Sequence, residues 1–146
     1  MIAVILSGHG GFASGIGQAI EQIIGTQTQF KAIDFPVEST TTQLDKTMRA
    51  AVQELDSGDG IVFLTDLLGG TPFRTASLIS QERDDIQVVT GTNLQMAAEM
   101  LLERDELTLN EFRDQALICG HRGITSLADE MASKAPQQQE AVEDGI

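Results

Sequence analysis

Residues 61–72 read IVFLTDLLGGTP, and the fold can be argued outward from them. Ile61–Thr65 is a short continuous apolar run, the pattern of a strand buried on both faces. Asp66 stops it and Gly69-Gly70 turn the chain. Thr71-Pro72 then opens a helix, because threonine caps well and proline suits the first helical position. A two-face-buried strand that leads through glycines into a helix is the first half of a parallel β-α-β unit.

The same order recurs on either side. Ile2–Leu6 is an apolar run ending at glycines, and Ser14–Ile24 carries Ile16, Ile20, Ile23 and Ile24 at helical spacing, with Gly25 as a stop. Gln29–Phe35 reads as a second strand closed by Pro36, and Thr41–Leu55 as a helix along Leu44, Met48, Ala51, Val52 and Leu55. Ile86–Thr90 is a fourth strand, followed by helices near Leu94–Leu102 and Leu109–Cys119. The alternation predicts a doubly wound α/β fold, a mostly parallel sheet with helices on both faces. Ile124–Ala128, ITSLA, fits either a strand or a helix start, and the polar, acidic residues from Pro136 onward read as a frayed tail.

Composition narrows the function. The chain has 146 residues, one domain's worth, with 41% apolar and 21% charged residues, as in a globular protein. Nine basic residues stand against 22 acidic ones, a net charge of -13, which argues against nucleic acid as a partner. Cys119 is the only cysteine, so an intramolecular disulfide and a cysteine-rich metal site are excluded, and it is expected in the core. Neither a secretory leader nor a stretch of ~20 apolar residues is evident, so a soluble cytoplasmic protein is expected.

Two strand ends stand out. The first strand runs into Ser7-Gly8-His9-Gly10-Gly11, the third into Asp66 and the glycines before Thr71. Ligands of open parallel sheets collect beyond the carboxyl ends of the strands, where the strand order reverses. If these two strands are neighbours, His9 and Asp66 face each other there, beside the start of the Thr71 helix. An imidazole is a good nucleophile through one nitrogen when an acceptor holds the N–H of the other. Asp66 is the suited acceptor, and helix N–H groups favour a phosphate. The trio therefore points to a histidine that receives and gives up a phosphoryl group. Arg74 sits in the first helical turn, where a cation opposes the helix dipole unless an anion or acidic partner is near. His121 lies in no comparable setting.

Two other classes compete. Gly8-His9-Gly10-Gly11-Phe12-Ala13 fits G-x-G-x-x-A, and Asp34 ends the second strand where a ribose-binding acid would belong. A dinucleotide reading leaves Asp66 and Thr71-Pro72 without a task, however. HGGF is similar to an oxyanion-hole loop, but no G-x-S-x-G elbow accompanies it, and no Walker A sequence offers ATP as a donor. A nucleotide-free phosphohistidine protein must take its phosphate from another protein.

The stretches VILSGHGGFASG, AIDFP, GIVFLTDLLGGTPFRTAS and VVTGTNLQM resemble the mannose-family EIIA components of the bacterial phosphoenolpyruvate-dependent sugar phosphotransferase system. The resemblance covers residues 1–131 as one EIIA domain and leaves 132–146 as tail. The wording TDLLGGTPFRTAS, TGTNLQ and CGHRGITSL is closest to the N-acetylgalactosamine and galactosamine branch. It implies a phosphohistidine at His9, charged by the carrier HPr and discharged to an EIIB, with membrane EIIC and EIID components involved indirectly. Asp66 matches the histidine-orienting aspartate. Gly10, Gly70, Thr71 and Phe73 fall at the phosphate-binding positions, and Phe12, Phe35, Leu68 and Arg74 where partners dock. The resemblance further implies no cofactor, no metal, and a homodimer in which a C-terminal antiparallel strand, matched by Gly123–Leu127, is exchanged.

Overall fold

Along the first strand, odd and even residues go to different cores. The computed structural model describes residues 1–134. It has strands β1 (Ala3–His9), β2 (Phe30–Phe35), β3 (Ile61–Thr65) and β4 (Ile86–Val89). Its helices are α1 (Phe12–Ile24), α2 (Thr41–Leu55), α3 (Thr71–Ser80), α4 (Leu94–Glu103), α5 (Leu109–Arg122) and α6 (Leu127–Ser133). Val4 and Leu6 join Val62, Leu64 and Val89 beneath α1, α4 and α5. Ala3 and Ile5 join Ile61, Phe63 and Ile86 beneath α2 and α3. Every second side chain of a strand points to the same face, so apolar residues at all positions require a cover on both sides.

The strands run in the order β2-β1-β3-β4, all parallel. The expected α/β architecture is therefore present. The order reverses between β1 and β3: from β1 the chain moves outward to β2 through α1, and from β3 to β4 through α3 on the opposite face. A crevice opens between those two strand ends.

Two expectations are corrected. β1 does not stop at Leu6 but continues to His9, because Gly8 and His9 stay paired with Asp34 and Phe35. Buried Ser7 is tolerated there because its hydroxyl donates to the Ile33 carbonyl at 2.8 Å. The first helix opens at Phe12 rather than Ser14. Gly123–Leu127 forms no antiparallel strand in the single chain: Ser126 Oγ accepts the Asp129 N–H at 3.0 Å and caps α6, whose first turn carries Asp129 and Glu130. A capped, acid-rich start favours helix over strand. Of the expected tail, Ala132 and Ser133 belong to α6, and residues 135–146 lie outside the described residues. Cys119 is in the core as expected, with 1% of its surface exposed.

Sequence reading gave no hint of Arg104, which follows α4 and is 2% exposed. Among the described residues no carboxylate meets it. Its Nη1 donates to the carbonyls of Ile2 (3.1 Å) and Gln29 (2.8 Å), and its Nη2 to that of Thr28. Gln29 adopts φ 47°, which turns the chain into β2. Arg104 thus ties the starts of β1 and β2 to the end of α4, at the pole opposite His9. Arg104→Met removes the donors to the Ile2 and Thr28 carbonyls, while Gln29 keeps the Val4 N–H, so it should cost about 1–3 kcal/mol. A urea midpoint close to wild type would contradict this.

Candidate active site

His9 is the last residue of β1, and Asp66 directly follows β3. Since Ser7 pairs with Thr65, both side chains emerge at the crevice between the two strands. Asp66 Oδ2 accepts twice from His9, from its backbone N–H at 2.9 Å and at ring Nδ1 at 2.9 Å. With the Nδ1 proton held by the carboxylate, the lone pair is on Nε2. The ring is 44% exposed against 14% for the carboxylate, so the nucleophilic edge lies on an open face and its acceptor beneath.

Two glycines are required by sterics. A methyl group at Gly8 would lie 2.5 Å from Phe12 Cδ1 and 3.0 Å from Asp66 Cγ. A methyl group at Gly70 would lie 2.7 Å from His9 Cε1 and 3.4 Å from Nε2. The imidazole thus rests against the N-cap of α3. No side chain caps that helix, and Pro72 occupies its first turn. The N–H groups of Thr71 and Phe73 are among those a helix start leaves without intrahelical partners. Nε2 and a ready anion site therefore lie side by side.

The other expected site residues divide. Gly10, at φ 56°, donates its N–H to the Phe35 carbonyl at 2.8 Å, so that amide is not free for an anion. Phe12 is half-buried, lies over Gly8 and packs on the core beneath α1, α4 and α5. Phe35 meets the imidazole edge to face, its ring centroid 6.0 Å away. Leu68 is exposed, and with it Leu67 and Val37, neither of which the sequence singled out. Arg74 is exposed on α3. Asp34 accepts the Ser14 N–H at 2.8 Å and so serves α1, whose own N-cap Gly11 has no side chain to do so. This task removes the reason to read Asp34 as a ribose ligand. His121 lies in the last turn of α5, where a cation complements the helix dipole. Among the described residues no cluster of side chains suited to a metal occurs, and no helix is long and apolar enough to cross a membrane.

Partial burial pushes the Asp66 carboxyl upward, but the two hydrogen bonds and the charge of His9 outweigh it and hold it below its ordinary value. A carboxyl depressed by folding contributes stability above its unfolded pKa of about 3.9 and loses it as the pH falls through the folded value. Asp66→Asn should therefore be slightly less stable than wild type at pH 7, with the two converging in stronger acid. A gap that widens on acidification would refute this. Gly70→Ala keeps an ordinary backbone but pushes the imidazole away from Asp66. Its melting temperature should stay near wild type while acylation of His9 by diethyl pyrocarbonate, read by peptide mass, slows several-fold; an unchanged rate would show that the contact is not needed.

Residues 3–117 match the family model EIIA-man, described as the PTS system fructose IIA component. The chain is 31% identical over 136 residues to YadI of Escherichia coli K12, which bears the name of a phosphotransferase enzyme IIA component, with 93% of each chain covered. It is 32% identical to the mannose-specific EIIAB component of the same organism, over 92% of this chain but only 42% of that one. The crystal structure of a phosphotransferase system component EIIA from Streptococcus agalactiae superposes with a TM-score of 0.82 at 32% identity, covering 88% of this chain and 99% of that one.

Proposed function

The chain belongs to the EIIA-man family of sugar phosphotransferase system components, and on that premise we propose that it carries a phosphoryl group on His9 between two partner proteins. The observation that carries this reading is the His9–Asp66 pair, its Nδ1 held at 2.9 Å while the exposed Nε2 edge lies against the uncapped start of α3. In the loading step the lone pair of Nε2 attacks phosphorus as the N–P bond of a phosphohistidine on HPr breaks. The Nδ1 proton stays where it is, shared with Asp66, whose charge offsets the positive ring that forms. In the unloading step the N–P bond at His9 breaks and the group passes to an acceptor on EIIB. No cofactor is needed, because positioning and charge stabilisation suffice for a transfer that is in line.

Thr71, Gly70 and Phe73 would receive the phosphoryl oxygens at the helix start. Leu68, with Leu67 and Val37, would form the apolar rim on which both partners settle in turn. EIIC and EIID would be engaged only through EIIB, in the cytoplasm. The sugar we assign is N-acetylgalactosamine or galactosamine, on the wording of the Asp66, Asn93 and His121 stretches alone. The relatives bear other sugars in their names or none.

Incubation with phosphoenolpyruvate, enzyme I and HPr should place an acid-labile phosphate on His9, located by mass spectrometry. Label that persists in His9→Ala, on His121 for instance, would overturn the assignment. Asp66→Asn should transfer ~10²–10³ times more slowly, comparable to removing one preorganised stabilising group. Transfer at the wild-type rate would reduce Asp66 to a cap for the His9 backbone.

We propose further that two copies associate. Nothing pairs with the outer edge of β4 among the described residues, and beside it Ile124 and Leu127 are 75% and 71% exposed. Open edges and clustered apolar side chains are liabilities that a second subunit removes. Sedimentation equilibrium should show a dimer at micromolar concentration, and Leu127→Lys should weaken it. A wild-type monomer would contradict the proposal.

A further inference from the structure

The chain has six arginines, and five have evident work. Arg49, Arg83, Arg113 and Arg122 each meet a carboxylate, and Arg104 binds backbone carbonyls. Among the described residues Arg74 forms no ion pair, in a protein whose acidic residues outnumber the basic by 13. It also occupies an electrostatically poor place. Its N–H donates to the Gly70 carbonyl at 2.9 Å, which puts it one turn into α3, near the positive end of the helix dipole. No acidic residue shares that turn.

An anion at the helix start reverses the sign of this arrangement. Helical side chains tilt toward the N-terminus, so Arg74 leans back toward its N-cap, Gly70. The rise to be covered is about 5.4 Å, one turn, which an extended arginine side chain spans. Gly70 is the residue against which His9 rests, close to both Cε1 and Nε2. A phosphoryl group on Nε2 would therefore sit between the α3 amides and the guanidinium, and arginine makes charge-assisted hydrogen bonds to phosphate oxygens.

We propose that Arg74 is a phosphate-holding residue of this site, closing over the phosphoryl group on His9 and favouring its dianion. The inference rests on His9 as the phosphorylated residue and places Arg74 on the phosphate rather than on a docking partner. The interaction exists only in the loaded state. It favours loading, and it must be released or shared when an acceptor approaches.

The test uses potassium phosphoramidate, which needs no partner protein. Its N–P bond breaks, its nitrogen leaves as ammonia, and phosphorus bonds to His9 Nε2. With His121→Gln in the background, His9 is the only histidine left to react. Phosphorus NMR then follows the second ionisation of the phosphoryl group against pH. Arg74→Gln should raise that midpoint by about half a pH unit, a roughly three-fold loss of preference for the dianion, and Arg74→Lys should restore part of it. The difference should shrink in 1 M salt, where charges are screened within ~3 Å. A midpoint unmoved by Arg74→Gln would overturn the proposal, and a raised apparent KM for phospho-HPr in the same variant would make Arg74 a docking residue. Failure of His9 to accept phosphate even with Arg74 present would instead overturn the reading of His9, and the inference with it.

Discussion

The site depends on one contact, Asp66 Oδ2 against both the backbone N–H and the ring Nδ1 of His9. A single carboxylate oxygen fixes the end of β1, the orientation of the imidazole and its tautomer. It can do so only because β1 and β3 are neighbours and parallel, which brings the residues just beyond both strands to the same pole. The rest of the molecule serves that adjacency. Two apolar cores clamp the sheet from either face. Buried Arg104 gathers the strand starts at the far pole, and Asp34 seats the first turn of α1 at the near one.

Much of this was legible in the sequence for local reasons. Continuous apolar runs gave β1 and β3, because a strand covered on both faces has no polar side to show. Pro72 and the glycines located the start of α3. The facing of His9 and Asp66 followed once strand order was assumed, since strand ends at a reversal share a crevice. What escaped the reading depends on long-range partners. Arg104 finds carbonyls up to 102 positions away in the chain, and nothing adjacent to it announces that. β1 outruns its apolar residues because Gly8 and His9 are held by β2, a neighbour that local composition does not reveal. The segment after Gly123 stayed ambiguous because its apolar side chains find no cover among the described residues.

An open site suits a carrier better than it would suit an enzyme of small molecules. On the proposed reading His9 must be reached by one protein and then by another, so neither a deep pocket nor a lid would serve. Glycines at 8 and 70 keep side chains from crowding the imidazole and its acceptor. Leu67, Leu68 and Val37 leave apolar surface around the rim, unusual on a chain so acidic. The electrostatics agree: negative charge is spread over the body, whereas the helix start beside the His9 imidazole offers positive potential.

The central claim is that Asp66 holds the Nδ1 proton of His9 and leaves Nε2 to do the chemistry. Long-range proton–nitrogen correlation spectra of the nitrogen-15-labelled protein, recorded before and after phosphorylation, test it most directly. At neutral pH the free protein should show a protonated Nδ1 and an unprotonated, pyridine-like Nε2 for His9, and the loaded protein should show phosphorus coupling at Nε2. Asp66→Asn should weaken that tautomeric preference. Phosphorus coupled to Nδ1, or a tautomer unaffected by Asp66→Asn, would contradict the account.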